Sequence, residues 1–529
     1  MIYDICYSAK YEKSPSPWTS IMTTPAEKLA RSLEALERFQ RDGRACLRSR
    51  DIGRADRERL MRNGFLKEVM KGWYIASRPE EAEGESTAWY ASFWGFCAEY
   101  LTERFGTEWC LSPDQSLLLH VGNWTVPAQL LVRASGGSNR PVQLLHGTSL
   151  LDVRQTLPAE DDIEVLDSMR VYKLDAAFVA ASPNFYTSHP TDARALLAMQ
   201  RDAGPILARL LAGGHTAIAG RIAGAFRNIG ADRIADDILG AMKAAGHTVR
   251  ESDPFDHRLE GYTFTREPSP YAHRIRLMWN TMRGEIVGRL PQPPARRNDI
   301  DAYLGAVDDI YVTDAYHSLL IEGYRVTPEL IERVRGGNWN PDRSAPDRQQ
   351  ADAMAARGYH LCFQEVRKSV ERVLKGENPG KVADDDHATW YRQMFGPSVE
   401  TGHVRPENLA GYRNGQVFIR GSQHRPLNVE AVRDTMPVFF ELLAREADPA
   451  VRIVLGHFVF VYIHPYMDGN GRMGRFLMNV MLAAGGYDWT VIPVTSRNDY
   501  MRALEAASVH EDIVPFTEFL AEHIRNPTR

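Results

Sequence analysis

The sequence predicts a multidomain protein whose C-terminal half is a body of helices, preceded by a winged helix and a small α/β domain. Three observations lead there. At 529 residues the chain exceeds what one hydrophobic core ordinarily holds. Beyond residue 190 its apolar residues fall mostly at helical spacing. Before residue 80 the order is helix, short helix, then two short strands around a tight turn, which is the order of a winged helix-turn-helix.

Residues 1–21, with Ser14-Pro15-Ser16-Pro17, read as a disordered tail, and Met22 is an alternative start. The winged helix is assigned to 22–80. Leu29, Leu33, Leu36 and Phe39 stand three and four apart and predict a helix over 26–40. Arg48 to Gly53 reads as a turn, Ala55 to Asn63 as a short helix stopped by Gly64, and Phe65 to Ile75 as two strands turning at Lys71-Gly72. Between 41 and 71, ten Arg and Lys face five acids, so the segment carries +5 within a chain of net charge −5. A local basic excess on this pattern is the electrostatic footprint of DNA binding; contact with protein alone is the alternative.

Residues 81–190 read as the small α/β domain. Leu117-Leu118-Leu119-His120 and Gln129 to Arg133 are strand-like, and Arg170 to Lys173 leads into a helix from Leu174. His120 and His146 read as core or surface histidines. Residues 191–255 are alanine-rich and form a helical connecting layer, with helices over Ile218 to Ile229 and Ile234 to Ala245. A loop from Asp253 to Pro270 opens a helical region over 270–380. It starts with an amphipathic helix over 271–288, is broken at Pro291-Gln292-Pro293-Pro294, and includes a helix over 351–376. The last domain, 381–525, carries helices over 384–394, 427–446 and 449–463. Between them Gly411 to Gly421, centred on Asn414-Gly415, predicts a β-hairpin.

Composition excludes several classes. A small net charge gives no global field for nucleic acid or membrane. Cys6, Cys46, Cys97, Cys110 and Cys362 show no zinc or redox spacing. The N-terminus lacks a basic region followed by an apolar core, so no secretory leader is expected, and no apolar run has membrane-spanning length. A cytoplasmic, reducing setting without membrane attachment is expected.

The chemistry concentrates in His464-Pro465-Tyr466-Met467-Asp468-Gly469-Asn470-Gly471-Arg472-Met473-Gly474-Arg475. Pro465 stops an apolar helix. Gly469 and Gly471 flank Asn470, where positive φ or close backbone approach is needed. Gly485-Gly486 ends the helix that follows. A glycine-rich loop entering a helix N-terminus offers unpaired N–H groups to an anion, phosphate above all. Arg472 and Arg475 share one helical face and suit a polyphosphate. Asp468 is placed to hold a divalent cation such as Mg²⁺. His464, at the loop mouth, is a natural base for a hydroxyl.

This stretch resembles the signature of the Fic (Fido) family, His-Pro-Phe-x-(Asp/Glu)-Gly-Asn-Gly-Arg-x-x-Arg, with Tyr466 in place of Phe. That change is mild unless the Tyr466 hydroxyl is buried without a partner. The resemblance covers about the last 260 residues. It implies an all-α catalytic core in which the hairpin is a flap, with Val417, Phe418 and Ile419 laying a target segment against the site by strand addition. It also gives meaning to Ser318-Leu319-Leu320-Ile321-Glu322-Gly323, otherwise an ordinary helix end. The segment matches the family's inhibitory motif, so that Ser318, Glu322 and Gly323 would form the block and Glu322 would pair with Arg475 in the seat of the γ-phosphate. Tyr500, in Arg497 to Leu504, resembles the family segment beside the adenine; core packing is the alternative. The N-terminal 180 residues resemble, diffusely, AbiE-type antitoxin winged-helix proteins, through Gly64-Phe65-Leu66, Gly72-Trp73-Tyr74 and the Leu174-Asp175 helix.

The activity so implied is transfer of AMP from ATP to a Tyr, Thr or Ser hydroxyl of a protein. His464 would be the base and Asp468 the Mg²⁺ ligand, with Gly469, Asn470, Gly471, Arg472 and Arg475 on the phosphates. Removal of AMP, another phosphate-linked transfer, and a DNA-binding, toxin–antitoxin-like regulator with a nucleotide-sensing domain are the alternatives. The target, the chain itself included, and a homo-oligomeric state stay open.

Overall fold

The computed structural model describes residues 24–528, except 42, 80–85, 258–268, 295–298 and 338–350. The tail at 1–21, with Met22, lies outside the described residues, as does most of the loop before Pro270.

The described residues open with α1 (Pro25–Arg41), β1 (Leu47–Arg48), α2 (Arg54–Arg62), β2 (Leu66–Met70) and β3 (Trp73–Ala76). The strands form an antiparallel sheet in the order β1-β3-β2, with a register shift between Glu68 and Met70. Gly72 makes the tight turn at φ +83°, a conformation glycine adopts without steric cost. Leu36, Leu60, Leu66 and Tyr74 close a small core between helices and sheet.

Much of the basic excess of this segment is already paired. Arg44 lies 2.9 Å from Asp51 and 3.7 Å from Glu99, and Arg59 2.8 Å from Asp56. Arg48 and Arg50 both pair with Glu103. Glu99 and Glu103 stand on α3 (Thr87–Phe105), outside the segment whose charge the sequence counts.

After α3 come β4 (Trp109–Leu111), α4 (Pro113–His120), β5 (Gln129–Ala134), β6 (Pro141–Gln143), β7 (Ser149–Arg154), β8 (Ile163–Leu166) and β9 (Met169–Tyr172). Four strands form a sheet in the order β4-β5-β7-β6, with β5 and β7 parallel, and β8-β9 is a separate hairpin. Leu117 to His120 is helix, not strand. Ser112 caps α4, its side chain accepting from Gln115 N at 3.3 Å, and Pro113 sits at the first helical position. That start signal overrides a local run of leucines. The histidines there make structural contacts: His120 Nε2 meets Tyr172 O at 2.7 Å, and His146 meets Lys67.

Helices take over with α5 (Leu174–Ala180), α6 (Phe185–Ser188), α7 (Pro190–Ala198), α8 (Gly204–Gly213), α9 (Thr216–Asn228) and α10 (Asp232–Ala244). The C-terminal body consists of α11 (Pro270–Ile286), α12 (Ile300–Ile321), α13 (Pro328–Arg335), α14 (Ala351–Leu374), α15 (Pro379–Glu400), α16 (Val429–Arg445), α17 (Pro449–Ile463), α18 (Asn470–Ala484), α19 (Arg497–His510) and α20 (Val514–Arg525). These share one apolar core. The protein is therefore mostly helical, and among the described residues its small sheets are confined to the first third.

At the centre of that core is α17. Its apolar residues run round every face, and thirteen of its fifteen residues are buried, as an all-round apolar helix requires. Asp448 caps it by accepting from Ala450 N at 2.8 Å and Val451 N at 3.2 Å, with Pro449 at the first position. A salt bridge joins this body to the preceding layer: Arg274 of α11 lies 2.6 Å from Asp192 of α7, both buried.

The expected hairpin at 411–421 is absent. The segment holds no strand; it runs as irregular coil with bends and a turn between α15 and α16. Side chains take the carbonyls a ladder would use. Arg413 donates to Gly415 O and Leu427 O, and Gln416 to Val417 O and Pro426 O. An Asn-Gly pair favours a hairpin only when the flanking backbone is free to pair.

Candidate active site

The end of α17 and the start of α18 make the site. His464 closes α17 in the left-handed region, at φ 56° and ψ 60°. Gly469 precedes α18 with φ +76°. Asn470 ties the loop: its Oδ1 accepts from Tyr466 N at 2.9 Å and its Nδ2 donates to Tyr466 O at 2.8 Å. No side chain caps α18, so its first N–H groups remain for an incoming ligand. Gly471 is needed for close approach, since a Cβ there would overlap Glu322 Oε1.

Behind the helix N-terminus lie two buried guanidinium groups. Arg472 packs between the rings of Tyr324 and Phe395, 5.1 and 5.0 Å from their centroids. Arg475 donates from Nε to Ser318 Oγ at 2.9 Å and from Nη2 to Glu322 Oε1 at 2.7 Å. One buried donor on each arginine, Arg472 Nε and Arg475 Nη1, has no partner among the described residues. Buried donors of that kind mark a place where an acceptor belongs.

Glu322 follows α12, and Gly323 turns the chain at φ +92°. Burial alone would raise the Glu322 pKa, but the Arg475 and Arg472 charges outweigh it and hold the carboxyl below the usual range. Arg475 is correspondingly raised: Glu322 overcomes the burial that would lower it.

His464 Nδ1 lies 3.0 Å from Val461 O. A carbonyl can only accept, so Nδ1 carries the proton and Nε2 is left as the acceptor. Burial lowers the imidazole pKa to about 4, and the ring is neutral at physiological pH. A neutral imidazole with Nε2 free can take a proton from a hydroxyl.

These groups border a cavity of about 270 Å³, lined by Glu322, His464, Gly471, Arg475, Tyr500, Glu505 and Ile419 among others. Asp468 stands at the loop entrance with its side chain 65% exposed and 3.7 Å from Arg472. Among the described residues no three His, Cys, Asp or Glu side chains gather into a metal cage. A single exposed carboxylate beside an anion site still fits Mg²⁺, which takes its other ligands from water and phosphate.

Tyr500 is 1% exposed, its hydroxyl bonds His457 at 2.7 Å, and its ring packs on Phe516 and Phe519. It is a core residue that forms part of the cavity wall. Val417 is buried, while Phe418 and Ile419 are half-buried. Their segment is fastened on its far side by the first quarter of the chain: Gly421 N donates to Thr87 Oγ1 at 3.0 Å and Val126 N to Gln423 O at 3.0 Å. Glu505 of α19 accepts from Ser422 Oγ and Gln423 N.

Tyr466 is buried, stacked on Tyr391 at 3.8 Å, and its hydroxyl has no partner among the described residues. Sequence reasoning missed Arg413, Tyr324 and Phe395. Nothing local distinguishes an arginine before Asn-Gly, or two separate aromatics, as members of this site.

A neutral imidazole thus stands at the mouth of an uncapped helix, with two buried arginines behind it. Residues 384–482 match the family described as Fic/DOC. Over 220 residues it is 30% identical to a protein adenylyltransferase Fic of Nematostella vectensis, covering 41% of this chain and 47% of that protein. Over 221 residues it is 37% identical to the namesake of Drosophila yakuba, covering 41% of each. The chain thus spans less than half the length of these relatives. Among solved structures, a Fic-1 fragment from C. elegans aligns with 19% identity and a TM-score of 0.34 over 61% of this chain and 89% of that one.

Proposed function

We propose that the protein transfers AMP from ATP to a hydroxyl of a protein side chain and is held inactive by Glu322. The observation that carries this reading is the Glu322–Arg475 contact at the N-terminus of α18, one helix start away from a neutral His464. His464 Nε2 takes the proton of the target hydroxyl. Its oxygen attacks the α-phosphorus, the bond from that phosphorus to the bridging oxygen breaks, and pyrophosphate leaves. The N–H groups opening α18 and Arg472 neutralise charge on the α- and β-phosphates, which is most of what such a transfer asks of a protein. Asp468 would hold Mg²⁺, which supplies further neutralisation when bound. Arg475 would take the γ-phosphate once Glu322 leaves it, and residues 417–419 would hold the target beside the base. The names of the relatives support the activity, and the free thiols of Cys46, Cys97, Cys110 and Cys362 support a reducing, cytoplasmic setting.

The test is transfer of labelled AMP, read by mass on added protein and on the chain itself. Glu322→Gly should raise it by about a hundredfold, since misalignment of about 1 Å can cost that much. Adding Arg475→Ala should remove the gain. Adding His464→Ala should abolish transfer while leaving ATP bound. A Glu322→Gly protein that binds ATP yet is no more active than wild type would sink the inhibitory reading. Loss of AMP from a modified protein that requires Glu322 would support the reverse reaction instead.

For the N-terminal unit the finer reading is a winged helix that contacts DNA. The two-helix-plus-hairpin order supports it, and the pairing of Arg44, Arg48 and Arg50 with acids weakens it. Binding to duplex DNA that falls steeply between 50 and 200 mM salt is the expected behaviour of such a unit; salt-independent or absent binding leaves protein contact.

A further inference from the structure

Arg413 is 1% exposed, yet its bonds run to carbonyls alone. Nε donates to His464 O at 2.8 Å, Nη1 to Gly415 O at 3.0 Å and Nη2 to Leu427 O. Its own backbone N donates to Pro465 O at 2.9 Å. The charges that act on it, Arg433 and Arg425, have the same sign. Burial first, and then those two arginines, lower its pKa to about 10, which leaves it cationic at neutral pH. A buried charge with no counter-ion is costly and is kept only where the surroundings need it.

Its surroundings are the base and the segment opposite. His464 sits in a left-handed conformation that a side-chain-bearing residue adopts only at an energetic cost. Something must hold it there. Arg413 grips the carbonyl of that residue and, through its backbone, the carbonyl of the next. The same guanidinium reaches Gly415 and Leu427, which bracket residues 417–421. One side chain thus links the backbone of the base to the segment lying across the cavity from it.

We propose that Arg413 is a positioning residue for His464, fixing the backbone of the base and setting an uncompensated positive charge beside its ring. The proposal rests on the reading of His464 as the base. Other groups face the ring as well. Glu322, following α12, and Asp468, on the loop, favour the imidazolium. His424, from the loop before α16, is buried and neutral, with Nε2 on Tyr462 O at 3.0 Å. Arg475 of α18 is occupied by Glu322. Arg420, and Arg502 and Glu505 of α19, border the same cavity; among the cations Arg413 opposes ring protonation most. It therefore favours the neutral base before transfer and return of the captured proton afterwards.

The test uses the full chain carrying Glu322→Gly, with Arg413→Lys and Arg413→Met added singly. Lysine keeps the charge and loses the fork; methionine loses both. Both should lower kcat by about tenfold or more, with the Kd for ATP changed by less than about threefold. The His464 titration is followed by NMR on histidine-labelled protein, the signal being the one lost in His464→Ala. In Arg413→Met its midpoint should rise by about half a pH unit or more, and in Arg413→Lys it should stay. A side chain that merely braces the fold would lower melting temperature and ATP affinity and leave the midpoint in place. An unmoved midpoint in Arg413→Met, or a kcat within twofold of the parent in both variants, overturns the proposal. If Arg413→Met does not fold, Arg413→Lys decides through kcat at unchanged ATP affinity. A parent that transfers no AMP removes the proposed activity, while the midpoint still decides the role of Arg413.

Discussion

Glu322 occupies the space into which a side chain at Gly471 would grow. A Cβ on Gly471 would overlap Glu322 Oε1 and lie 3.3 Å from Arg475 Nη1. The glycine is therefore required by a carboxylate 149 positions away rather than by its own backbone, which is helical.

Gly471→Ala should accordingly destabilise the wild type, with the overlap exceeding the gain of about 1 kcal/mol that alanine brings to a helix. In a Glu322→Gly background the same change should be neutral or stabilising. Urea unfolding of the four proteins gives the coupling, expected to be about 1 kcal/mol or more. Equal costs in both backgrounds would mean that the two residues do not compete for space.

The Glu322–Arg475 contact also predicts a pH dependence. Arg475 and Arg472 depress the Glu322 pKa in the folded protein below its ordinary value of 4.5. A depressed carboxyl contributes stability that is fully present above its unfolded pKa and is lost as pH falls through the folded one. The stability difference between wild type and Glu322→Gln should be constant, at about 2 kcal/mol, above pH of about 5, and should shrink below about 4. Other carboxylates are common to both proteins and cancel. A difference that stays level down to pH of about 3 would place the carboxylate away from Arg475 in solution.

Tyr466 offers a simpler test. Its ring is stacked on Tyr391, while its hydroxyl is buried and unpaired. Tyr466→Phe keeps the stack and removes the orphaned group, so stability should rise by about 1 kcal/mol. A fall in the urea midpoint would reveal a partner for the hydroxyl.

Much of the loop from His464 to Arg475 was legible in the sequence because its signals are local. Pro465 ends α17, Gly469 supplies positive φ, and Gly485-Gly486 ends α18. The approach of Glu322 to Arg475 is not local, and only the likeness of two motifs brought the residues together on paper. Where local signals competed, the reading went astray. At Leu117 to His120 the leucines suggested a strand, although Ser112-Pro113 already announced a helix. At Asn414-Gly415 the turn signal was sound, but Arg413 had claimed the carbonyls that strand pairing needs. Tyr500 could be read as base-stacking or as core from its neighbours in sequence, and only its packing on Phe516 and Phe519 distinguishes the surroundings. Arg413 carried no signal, since its role depends on a carbonyl 51 positions later.

The bonds from Thr87 and Val126 to the loop at 421–423 bear on portability. The C-terminal body looks like a cassette that could be grafted elsewhere, but the border of its candidate site is stitched to the first quarter of the chain. A transplant would carry the loop without its moorings, leaving Gly421 N and Gln423 O to find new ones. A chimera built at that junction inherits the chemistry of α17 and α18 but not the shape of the groove above them.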